Sequence, residues 1–120
     1  MIRPFDLKRR LAAEALGSAL LASLVVGSGI MAQRLCGNDG MALLANALAT
    51  GAGLLALIFA FGPISGAHFN PAVSLVFLTL RELRVGDFAL YVAAQVLCGI
   101  AGTWLAHLMF DLPLLQLSQH

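Results

Sequence analysis

Charge is scarce in this sequence. Asp, Glu, Lys and Arg make up 11% of its 120 residues, where ordinary soluble domains carry about 25%. Hydrophobic residues account for 60%, and long stretches hold almost no polar group with which to cover a water-facing surface. That excludes an ordinary soluble domain and points to lipid. The length suffices for about three membrane spans of about 20 residues each and leaves no room for a second, soluble domain. Basic residues are too few, and too far from aromatics, to form a nucleic-acid surface; the formal net charge is only +1. Cysteine is nearly missing as well. Cys36 sits in a short polar connector and Cys98 in an apolar run, a spacing that suggests neither a disulfide framework nor a metal site. The histidines, His68, His107 and His120, form no ligand cluster, so no metal and no cofactor is expected. No nucleophile is paired with a base, and the one acid inside an apolar run, Glu14, stands alone. An enzyme is therefore not expected.

What is present is a set of apolar runs. Residues 11–32, 41–61 and 88–110 are each long enough to cross a hydrocarbon core of about 30 Å at about 1.5 Å per residue. The N-terminal MIRPFDLKRR superficially matches the charged start of a signal peptide. The run after it contains Glu14 and continues too long for a cleaved segment, so it reads as a retained first span. Residues 62–80 fit neither span nor ordinary connector. As a helix, Pro71 to Leu80 covers only about 15 Å, half the core. A full crossing would also place Arg81 and Arg84 opposite Arg3, Lys8, Arg9 and Arg10, against the preference for positive charge on the cytoplasmic side. Residues 62–80 are therefore predicted to enter and leave by one face, with the N-terminus cytoplasmic and only Arg34 among the Lys and Arg residues outside. Gly62, Pro63 and Gly66 would permit a non-helical descent. Asn70 would cap a half-helix whose first turn accepts Pro71, and that helix would present its positive end near the bilayer midplane. Irregular backbone at that depth persists only when buried in protein or lining a water-filled cavity.

The string SGAHFNPAVSL, Ser65 to Leu75, resembles the first Asn-Pro-Ala loop of the aquaporin and glycerol-facilitator family. Its place after the second span, Glu14 in the first span, and YVAAQVLCGIAG, Tyr91 to Gly102, in the third all fall where that family has them. The resemblance covers essentially the whole chain. It implies an all-α membrane protein of three transmembrane helices and one re-entrant half-helix, half of an inverted-repeat fold, in a cell membrane. It implies a passive channel for water or small neutral solutes, in which Asn70 donates its side-chain amide to a passing oxygen while Pro71 and Ala72 pack against a second copy of the motif. The carbonyls of Gly66, Ala67, His68 and Phe69 would form a ladder of acceptors. Glu14 would be buried and hold the loop backbone, and Gln95 would bond the loop or a neighbouring helix. Water-specific members place a bulky aromatic in the outer constriction about five helical turns before the loop asparagine. Thr50 stands there, and its small side chain resembles channels that pass glycerol, urea or metalloid acids.

Family members are about twice this length and carry a second, inverted half, usually with a filter arginine, and neither is found in these 120 residues. The pore of such folds lies between the halves, so a second aquaporin-like half is the expected partner, beside the lipid bilayer and the family's usual tetramer. Pairing with an inverted copy of itself would put the N-terminal and Arg81–Arg84 charges outside, against the orientation preference. The expectation is thus an excerpt of a longer channel, and the alternative a non-conducting assembly module that keeps the half-fold. Other readings of single residues are weaker. Glu14 as a proton relay lacks a second buried carboxylate. Ala13 with Gly17, Ala45 with Ala49 and Gly53, and Gly102 with Ala106 read as close helix packing.

Overall fold

Apolar segments that cannot bond their backbone to water must bond it internally. Over residues 5–116, which the computed structural model describes, the chain forms four helices: α1 (Leu7–Leu35), α2 (Asp39–Ser65), α3 (Pro71–Thr79) and α4 (Val85–Met109). Three of them, α1, α2 and α4, are long and apolar enough to cross a membrane. Arg3 and His120 lie outside the described residues.

Local chemistry sets the helix ends. Asp6 accepts from the Arg9 amide at 3.1 Å, Asn38 from Met41 at 2.8 Å, and Asn70 from Ala72 at 2.8 Å. At the end of α3 the Glu82 amide reaches the Phe77 carbonyl (2.9 Å) and the Arg81 amide that of Leu78 (3.0 Å), with Arg81 left-handed at φ 61°. This is the double-bonded stop usually built on glycine. Asp111, at φ 55°, closes α4 in the same way.

The helices start two to four residues before the apolar runs, and α1 and α2 end three and four residues beyond them, whereas α4 ends at Met109, one residue short. One expectation is corrected: Gly62 and Pro63 do not begin the descent but lie within α2, which continues to Ser65. Proline removes one amide from the ladder, and the turn closes around it through the Gly66 amide on the Gly62 carbonyl at 2.9 Å. The irregular stretch is only residues 66–70.

Helix α1 packs against α2 on one side and α4 on the other, and α3 rests on α4. Close approach depends on small residues. A Cβ on Gly102 would run into the backbone carbonyl of Ala19, and one on Gly53 into Leu24. Ser23 Oγ lies within donating distance of the carbonyls of Ala19 (2.8 Å) and Gly102 (2.9 Å), which share its single hydrogen, and Asn46 ties α2 to Val25 and Ser28 of α1. Ala13, Gly17, Gly102 and Ala106 are buried, as small interface residues should be, while Ala45, Ala49 and Gly53 are half-buried. Arg10 meets Asp87 and Tyr91 at one end of the molecule and Arg34 meets Phe110 at the other, so α1 and α4 run parallel. Helix α2 returns to the Arg10 end, where α3 also delivers the chain to α4. The segment between α2 and α4 therefore enters and leaves at one end. Its depth follows from Ser74, which reaches Gln95, about 15 Å along α4 from Val85.

Candidate pore loop and its support

The loop has an unusual backbone. Gly66, Ala67 and Phe69 all have positive φ (94°, 53° and 53°), and only the first is a glycine. Left-handed alanine and phenylalanine each cost of order 1–3 kcal/mol and persist only where surroundings impose them. The surroundings here are hydrogen bonds to the amides. Gly66 N is held by Gly62, Ala67 N donates to Ser65 Oγ at 3.2 Å, and His68 N and Phe69 N donate to Glu14 Oε1 (2.9 Å) and Oε2 (2.8 Å). The amides of this turn thus point inward, towards α1 and α2. Among the described residues no donor reaches the carbonyls of Gly66, Ala67 or Phe69.

Glu14 is wholly buried and accepts four bonds, from Ser65 Oγ (2.7 Å), His68 N, Phe69 N and Gln95 Nε2 (3.0 Å). All lone-pair directions of the carboxyl group are used, which is how a buried acid becomes a structural anchor. Gln95 Nε2 also donates to Ser74 Oγ at 2.9 Å. The Ser74 hydroxyl also meets His68 Nδ1, 2.9 Å away. The His68 ring is buried, stacked on Phe77 with centroids 4.5 Å apart, and edge-on to Tyr91. Its side chain is thus part of the support, and only its backbone belongs to the loop surface. The ring of Phe69 fills the space that a side chain on Gly17 would need, and meets Phe61 edge-on at 6.1 Å.

Asn70, Pro71 and Ala72 are exposed. Because Asn70 Oδ1 is committed to the Ala72 amide, its NH₂ group is turned away from the helix. Thr50 shares a face of α2 with Asn46 and Gly53, is half-buried, and its hydroxyl has no partner among the described residues. No group of three or more His, Cys, Asp or Glu side chains suited to a metal ion occurs among the described residues.

Three contributors were not singled out from the sequence: Ser65 and Ser74, which bridge the anchors, and Tyr91, whose hydroxyl donates to the Ser65 carbonyl at 2.9 Å. Only the presence of two hydroxyls and a phenol in spans otherwise poor in polar groups could have flagged them.

Comparison with known proteins supplies the family to which this arrangement belongs. The family described as "Major intrinsic protein" matches residues 1–117. This chain belongs to the major intrinsic protein family. As a member of that family with three spanning helices, it is an integral membrane protein. The chain is 60% identical to "Aquaglyceroporin AqpS" of Rhizobium meliloti (strain 1021) over 117 residues, 98% of this chain and 50% of that protein. It is 33% identical to "Probable aquaporin NIP5-1" of Arabidopsis thaliana over 99 residues, 82% of this chain and 32% of the relative. A shorter stretch of 61 residues is 48% identical to human "Aquaporin-2", covering 51% of this chain and 22% of that protein. The chain therefore spans about half the length of the first of these relatives and less of the others.

Proposed function

We propose that this major intrinsic protein chain supplies one half of a passive transmembrane pore for small neutral solutes, glycerol among them, and that a second aquaporin-like half completes the conduit. The observation that carries the reading is the division of the loop backbone. The amides of residues 66–69 are consumed by Glu14, Ser65 and Gly62, while the carbonyls of Gly66, Ala67 and Phe69 and the Asn70 side-chain NH₂ group meet no partner among the described residues. A water molecule or an alcohol entering such a surface exchanges bulk hydrogen bonds for a row of acceptors and one donor, and loses little. The α3 dipole presents its positive end at the same depth and disfavours cations, including hydronium.

In this reading Gly66, Ala67, His68 and Phe69 contribute carbonyls, Asn70 the donor, and Pro71 with Ala72 the contact to the second half. Glu14 and Gln95 are the scaffold. Thr50 sets the width of the outer constriction, and its small side chain favours solutes larger than water, in keeping with the name aquaglyceroporin borne by the Rhizobium relative. The excess of basic residues at the Arg10 and Arg81 end favours a cytoplasmic N-terminus in a cell membrane. The exposed faces of α2 and α4, with Phe59 at 75%, Leu48 at 66% and Leu97 at 66% exposure, suit lipid, the second half, and neighbouring protomers of a tetramer.

The test compares proteoliposomes holding this chain alone with others holding it joined to the second half of AqpS. Glycerol flux in the joined protein only is the expected result. No flux in either, with insertion verified, would support the second reading, a non-conducting assembly module.

A further inference from the structure

Tyr91 has no part in the reading above, yet it is wholly buried and its hydroxyl stands between the loop and the polar end of the molecule. The hydroxyl donates to the Ser65 carbonyl at 2.9 Å, and the same oxygen accepts from Arg10 Nε at 3.2 Å. Both Arg10 Nη atoms lie 3.4 Å from Asp87 Oδ2, with the two side chains 12% and 19% exposed. Arg10 is thereby aimed, and it occupies a lone pair of the phenol oxygen, so the O–H is directed to Ser65.

The bond that Tyr91 makes falls on one particular peptide. The Ser65 carbonyl and the Gly66 amide share a plane. The amide is tied to Gly62 and the carbonyl to Tyr91, so both polar atoms of that plane are held. The next residue, Gly66, turns left-handed at φ 94°, and the directions of the following carbonyls are built on the plane before it. The ring of Tyr91 has separate work: it packs edge-on against His68 at 5.2 Å and lies under the Arg10 guanidinium at 5.5 Å. A phenylalanine would keep the ring and its packing and lose the hydroxyl, with its bond to Ser65 and the one it accepts from Arg10.

We infer that Tyr91 is a positioning residue for the pore loop: its hydroxyl, oriented by Arg10 and Asp87, fixes the Ser65–Gly66 peptide and with it the spacing of the carbonyls a solute meets. The inference rests on the channel reading given above. A polyol must bond several loop carbonyls at once, whereas water needs one or two, so an altered spacing penalises glycerol more than water. Tyr91→Phe lowers the ratio of glycerol to water permeability by roughly threefold to tenfold, the equivalent of one misplaced hydrogen bond. A role confined to stability would reduce the number of working pores and lower both fluxes by the same factor.

The experiment uses the chain joined to the second half of AqpS, reconstituted and assayed by stopped-flow light scattering with glycerol and with sucrose. Wild-type glycerol flux is expected first; its absence would overturn the channel reading and the Tyr91 role with it. Given that flux, a ratio unchanged in Tyr91→Phe overturns the Tyr91 role alone. Asp87→Asn, which loosens Arg10 without touching the core, is expected to move the ratio in the same direction by a smaller factor, and an unmoved ratio there counts against the orienting chain. Independently of flux, the ¹³C signal of the Ser65 carbonyl in the bilayer-embedded chain is expected to move upfield in Tyr91→Phe. An unmoved signal would show that the bond is not made.

Discussion

Glu14 Oε2 lies 2.8 Å from the amide nitrogen of Phe69, 55 positions away in the chain. That bond and its neighbour from His68 hold a stretch of backbone that does not keep its shape alone. Glutamine at position 14 offers one acceptor oxygen and an NH₂ group to a site lined by donors. Glu14→Gln is expected to destabilise the fold by about 2–4 kcal/mol, because two or more of the loop and side-chain donors then face another donor. Thermal unfolding in detergent, with hydrogen exchange at residues 67–69, measures it. An unchanged midpoint with protected loop amides would contradict the anchoring role.

The glycines at helix contacts differ in what they face. A Cβ on Gly17 meets the ring of Phe69, which can rotate or shift, but one on Gly102 meets the backbone of Ala19, which cannot move without parting α1 from α4. Gly102→Ala is therefore expected to cost about 3 kcal/mol, towards the upper end of overpacking effects, and Gly17→Ala less. Gly17→Ala, however, displaces the loop and is expected to impair flux more than stability. Paired unfolding and flux measurements on the two variants check the crossover.

Thr50 leaves a buried hydroxyl without a partner among the described residues. Removing it in Thr50→Val is expected to change stability by no more than about 1 kcal/mol, in either direction. Filling the position in Thr50→Phe is expected to lower glycerol flux more than roughly tenfold in the joined channel while water flux persists, since a narrower constriction rejects the larger solute. Equal loss of both fluxes would place Thr50 outside the constriction.

Much of this architecture is legible in the sequence because the bilayer imposes it. The three spans follow from uncharged runs of sufficient length. The re-entrant path follows from Arg81 and Arg84 together with a segment too short to cross, and the Asn70 cap before Pro71 follows from helix-end chemistry. Glu14 and Gln95 are conspicuous as polar residues in apolar spans. What sequence does not disclose is how the loop is bent. Phe69 is left-handed with its amide held by Glu14, 55 positions away, and Ala67 is left-handed between a left-handed glycine and a His68 amide also held by Glu14, so no local propensity announces either. Gly62 and Pro63 point locally to a break, and the helix continues past them because a span has no water to offer its carbonyls instead. The Arg10, Asp87 and Tyr91 cluster is equally hidden, since Arg10 and Asp87 lie at the ends of two different spans and read alone as headgroup-facing charges.

In the proposed channel the loop face bearing the Asn70 amide is the conduction surface. Asn70→Asp keeps an oxygen for the Ala72 amide, so the cap and the half-helix remain, but it replaces the outward donor with an acceptor. Stopped-flow glycerol uptake by the chain joined to the AqpS second half, wild type against Asn70→Asp at matched insertion and unchanged thermal midpoint, tests this most directly. Flux well above empty liposomes is expected in the wild type and little above them in the variant. Equal flux in the two proteins would contradict the conduction role of that face.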